Sequence, residues 1–345
     1  MIKIDPQHIA TVASAARPED LHAVVQGAIQ LEFSTIPPYL TAMMSLTVDE
    51  NRVIWSILHS IVIEEMLHMA IMCNVLNALG GAPVVDSDDF LLQYPSALPM
   101  SIDSTLVVGL EPLSIELVKN VFMAIEQPDQ PLVFKAQLLS PSYKTIGDFY
   151  RALKGKLLDL GDQAFEARNQ LTAPNWYAGT ELFPIESARD AARAVELIVE
   201  QGEGAVNSPL AEGAELAHYY RFQQIVKQHF LIADGAGSFA FKGEPIAFNP
   251  EGVRPITRNQ RLRHIDPNTQ GYVRASQFAY TFSKLLRALH RAVNGEPESF
   301  SAAMSLMFEL KLNGQRLCEE PVLRSGKPTQ HTYGPCFERV MQEGA

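Results

Sequence analysis

The chain has 345 residues, 47% of them hydrophobic, which is enough for a sizeable core in one large domain or two small ones. A formal net charge of -11 and a pI of about 5.3 give no electrostatic reason to bind nucleic acid or an anionic membrane. The opening MIKIDPQHIA lacks a secretory pattern, no uninterrupted apolar run approaches the roughly 20 residues that span a bilayer, and three cysteines without CxxC spacing suit a reducing compartment, so a cytoplasmic protein is expected.

Residues 18–47 read as a helix start and a long apolar segment, in which Pro37 and Pro38 predict a kink just after Glu32. Residues 49–79 predict the clearest helix, stopped at Gly80-Gly81. It is apolar on nearly every face, as a helix in the middle of a bundle should be. Residues 82–112 read as irregular, with room for one short strand pair. Helices are predicted over 114–126, 145–160, 187–203, 213–230, 277–294 and 299–318, with loop-rich chain over 234–270 and from Glu319 onward. The expected architecture is mainly α. Residues 1–232 form a four-helix bundle with a loop-rich insertion at 82–186, and 233–345 form a helical extension packed on it.

One chemical pattern recurs. Glu65-x-x-His68 lies on the second long helix, and Glu215-x-x-His218 on the helix predicted from 213. Residues three apart share a helix face, so each pair can grip one ion. Di-iron carboxylate bundles combine two such pairs with one glutamate from each of two further helices. In a tight hairpin, equal distance from the turn makes residues level, at about 1.5 Å per residue. With a turn near 48–49, Glu32 and Glu65 each lie about 16 residues away. With a turn near 209, Glu203 and Glu215 each lie about six residues away, and Glu200 about nine. The predicted metal set is therefore Glu32, Glu65, His68, Glu203, Glu215 and His218, with Glu200 as the alternative to Glu203. Carboxylates and imidazole together suit iron, with other divalent ions as alternatives. Tyr39, seven residues beyond Glu32, reads first as an ordinary packed tyrosine, with a place beside the ligands, redox-active or not, as the alternative. Tyr219 and Arg221 are candidates to orient them. Glu64 reads as a helix-surface residue or an outer neighbour of the ligands, His59 and His229 as packing residues, and Met66, Met69 and Met72 as core filling.

The segments AIQLEFSTIPPYLTAM, IVIEEMLHMAIMCNVLNALGGAP, IVEQGEG and ELAHYYRFQQI resemble signature blocks of the ferritin-like proteins related to iminophenylpyruvate dimer synthase, an enzyme type of bisindole biosynthesis. FAYTFSKLLRALH, the helix around MSLMFELKL and the closing YGPCFERV extend the similarity over most of the chain. The resemblance implies a ferritin-like bundle with extra helices, and the six predicted ligands fall inside its blocks. The first expectation for function is a di-iron oxidase or oxygenase using dioxygen on a small organic, amino-acid-derived substrate in secondary metabolism. Iron handling as a ferroxidase or storage subunit ranks second. A metal-free structural protein and an imine dimer synthase are the remaining readings. Assembly into a homo-oligomer is compatible with all of them.

Overall fold

A computed structural model describes residues 3–101, 106–128, 145–172, 181–204, 208–210, 215–234 and 238–340. A short helix not anticipated from the sequence, α1 (Pro6–Ser14), begins at Asp5, whose carboxylate accepts the amide of Gln7. The centre is the hairpin of α2 (His22–Met44) and α3 (Arg52–Ala78), joined by the short link 45–51.

α2 runs on as α-helix through Pro37 and Pro38. Pro38 cannot donate to the Ser34 carbonyl, and the Tyr94 hydroxyl does so instead at 2.6 Å. Burial on nearly every side holds the rest of the helix in place. α3 ends as its sequence predicts. Gly80 adopts φ 83°, its amide bonds to Asn77 O, and the Gly81 amide reaches back to Leu76 O at 2.9 Å. α3 is long and apolar enough to cross a membrane, but 72% of its most apolar window is buried inside the protein, so it serves as a core helix.

Around this hairpin stand four shorter helical pieces. The first starts at the Ser114 cap as α4 (Ile115–Leu117), widens into a π-helical turn (Val118–Phe122) and closes as α5 (Met123–Ile125). α6 (Ile146–Leu160) opens on a capping box of Thr145 and Asp148. α7 (Ala188–Glu203) is capped by Ser187, and α8 (His218–Lys227) follows. α8 starts five residues later than the sequence suggested.

Two antiparallel hairpins occupy chain read as loop: β1 (His229–Ala233) with β2 (Phe239–Pro245), and β3 (Pro321–Arg324) with β4 (Lys327–Thr332). Among the described residues of 82–112, where a strand pair was expected, Ser96 and Val108 form an isolated antiparallel bridge. α9 (Gln270–Val293) and α10 (Ser299–Cys318) pack together and against α2 and α3. Side chains of this hairpin, among them Phe278, Phe282 and Leu310, belong to the same continuous apolar core as those of α2 and α3.

Candidate metal centre

α2 and α3 bring their polar residues to one buried spot. Glu32, Glu65 and His68 each place one donor atom within 4.8 Å of the others. Glu65, Glu126 and His218 make a second group of the same size, so Glu65 belongs to both. The His68 and His218 rings face each other at 5.5 Å between centroids. A small cavity of about 50 Å³ is lined by Glu32, Glu65, His68 and Glu126 together with the apolar side chains of Leu31, Ile125, Ile146, Ile198 and Val199.

Every donor is held by a neighbour. Thr35 donates its hydroxyl to Glu65 at 2.7 Å, Tyr39 to Glu126 at 2.5 Å, and Tyr150 to Glu32. The His68 Nε2 bonds the Gln201 amide oxygen at 2.8 Å, and the His218 Nε2 bonds Glu64 at 2.9 Å. Each ring therefore uses its outer nitrogen for orientation and points Nδ1 at the carboxylates, which is how protein neighbours fix a ligating histidine. Arg221 grips both oxygens of Glu64, at 2.7 and 2.8 Å. Tyr39 and Arg221 thus both lie beside the donor groups, Tyr39 on Glu126 and Arg221 on Glu64.

The electrostatics of the centre set burial against the mutual pull of its acids and histidines. Burial, aided by the Glu126 charge, raises the Glu65 carboxyl to about 6. Burial opposes charge on His218, but the carboxylates of Glu126, Glu64 and Glu65 outweigh it and lift its pKa well above the ordinary value. His68 is likewise raised, by Glu32 and Glu65 against burial. Burial also pushes on Glu64, yet His218 and Arg221 together hold it down to about 2. Tyr39 and Tyr150 stay neutral phenols, pushed far up by burial and the surrounding acids.

The donor set fits a cation pair. His218 Nδ1 is fully buried and lies 2.8 Å from Glu65 and 3.6 Å from Glu126, but is out of hydrogen-bond alignment with both. A polar atom aimed between two carboxylates and bonded to neither is what a shared cation would satisfy. Oxygen and imidazole donors suit iron, manganese or zinc.

Two of the six expected ligands, Glu203 and Glu215, and the alternative Glu200 are not in either group. α8 begins at His218, so Glu215 precedes the helix, cannot share its face, and is 66% exposed beside Arg221. α7 ends at Glu203, and residues 204–217 separate it from α8, so no tight turn levels the two helices. The Glu203 carboxylate instead lines the rim of the small cavity, lying over Gly147 at the start of α6, where a methyl group would come within 2.8 Å of it. Glu200 also stays outside both groups. Glu126 takes the place the sequence reading gave to α7, and Gln201 is α7's contribution. The available signal for Glu126 was one acid ending an otherwise apolar helix, VFMAIE. Nothing in the sequence marked Gln201.

A helical bundle carrying buried glutamates and histidines from facing helices is the layout of ferritin-like carboxylate proteins. A family model described as ferritin-like matches residues 25–227, more than half of the chain, and the chain belongs to this ferritin-like family. Among solved structures, a ferritin-like protein from Caulobacter vibrioides is similar over 86% of this chain and 93% of that one, with a TM-score of 0.60 and 23% identity, a likeness of fold. No curated protein matches the chain.

Proposed function

We propose that this protein is a di-iron carboxylate oxidase or oxygenase acting on a small organic, amino-acid-derived substrate, with Glu32, Glu65, His68, Glu126 and His218 holding two ions. The observation that carries the proposal is the pair of three-residue donor groups sharing Glu65, with both Nδ1 atoms facing inward and both Nε2 atoms anchored. When bound, an iron pair would supply electrons and the activation of dioxygen. The chain's own residues do the rest. Tyr39, Tyr150 and Thr35 fix the carboxylates, and Gln201 and Glu64 fix the rings. Leu31, Ile125, Ile146 and Ile198 exclude bulk water, which strengthens each polar contact inside. The Glu65 and His218 atoms that would hold an ion are the ones that otherwise bind protons, so metal uptake would compete with protonation there.

The test is metal analysis and optical spectroscopy of purified protein after ferrous iron and air, followed by dioxygen uptake with amino-acid-derived compounds. Two irons per chain and substrate-dependent uptake support the reading. Folded protein that takes up no metal sinks it. Ferrous oxidation without any organic product would move the assignment to iron handling, and dimer formed from indolepyruvate imine would move it to imine coupling.

A further inference from the structure

On a different face of the α2–α3 hairpin, against α9 and α10, lies a cavity of about 240 Å³. It is larger than the ~150 Å³ apolar cavity that accepts a benzene ring. Six of the protein's 11 methionines line it: Met43, Met44, Met66, Met69, Met304 and Met307. Unbranched thioether side chains re-pack around flexible apolar guests, so such a wall suits a chain better than a rigid ring system. The remaining lining is aliphatic or aromatic except at one end, where His59 and Lys311 sit. No carboxylate lines the cavity. Trp55 stacks on His59 at 4.8 Å, and the Lys311 ammonium stands 5.3 Å from the Trp55 ring. Lys311 has no carboxylate partner among the described residues, although ion pairs are frequent elsewhere on this surface.

We propose that this cavity binds a single-chain amphiphile, its apolar tail among the methionines and an anionic head group at Lys311 and His59. The occupant is a medium-chain carboxylate or an acid of the same shape. Electrostatic complementarity selects the sign of the head, and the dry methionine wall selects the tail. The site is separate from the metal centre: α2 offers Phe33, Ile36 and Leu40 here, whereas Glu32, Thr35 and Tyr39 face the metal donors. Phe308, 62% exposed at the rim, leaves a way in from solvent.

Calorimetric titration of the full chain with decanoate and with decyltrimethylammonium, both below micelle formation, tests this. Decanoate should bind once per chain, at least about tenfold tighter than the cation, and Lys311→Glu should abolish that preference. Ala70→Leu, which fills the cavity wall, should weaken decanoate several-fold, and a preserved melting transition shows that each variant is folded. Equal affinity for both head groups, no saturable binding to folded protein, or a dimer that Phe308→Asp dissociates and that buries the groove would each overturn the proposal.

Discussion

The α2–α3 hairpin and the α7–α8 pair start from the same sequence pattern and end differently. In the first, a short link lets distance along the chain stand for height in the bundle, and Glu32, Glu65 and His68 converge. In the second, residues 204–217 intervene, α8 begins at His218, and of the expected ligands only the histidine reaches the centre. Spacing is a ruler only where the chain is regular on both sides of a tight turn. The missing carboxylate comes instead from Glu126 at the end of a helix with a π-helical turn, a distortion that re-aims side chains and recurs at functional sites.

The sharpest way to break this comparison is to truncate the two ExxH glutamates separately. Glu65→Ala should remove both ions, whereas Glu215→Ala should keep full metal content by elemental analysis. Equal losses would restore the symmetric picture. Next in size, Glu126→Ala should leave at most one ion per chain, while Glu203→Ala keeps two. The reverse result would return the third carboxylate to α7. A smaller effect is expected beyond the ligands. Arg221→Met frees Glu64, which orients His218, and metal affinity should fall about 10- to 100-fold in a competition assay with a chelator.

The smallest effect is on pH dependence. Glu65, His68 and His218 have raised pKa values, so without metal their stabilisation is complete below their unfolded values of 4.5 and 6.5. It is lost as pH rises through the folded values, for Glu65 about 6. Glu64, lowered to about 2, already contributes fully above 4.5 and loses its share only in strong acid. Metal-stripped protein should therefore melt at lower temperature as pH rises past 6. Loaded protein should resist that fall, because the ions replace the protons. Parallel melting curves would contradict this.

The helical class and the first half of the site were legible because Glu32, Glu65 and His68 sit on long regular helices whose ends are marked by a short link and Gly80. Gln201 and Tyr150 were not, since an amide and a phenol carry no ligand signature and reach the site from α7 and α6 by tertiary packing alone. How α2 stays helical past its prolines was not legible either, because a proline's local cost says nothing about a hydroxyl such as that of Tyr94, 60 residues beyond Ser34, that takes over the freed carbonyl. The β3–β4 hairpin was short enough to pass for loop, though Ser325 and Gly326, both with positive φ, form its turn.

Because one carboxylate, Glu65, stands in both donor groups, two cations bound there would not be independent. The first to bind would settle that shared side chain and leave the second group already ordered. Half-filled molecules should accordingly be scarce at every step of a titration, with uptake rising more steeply than for two separate sites.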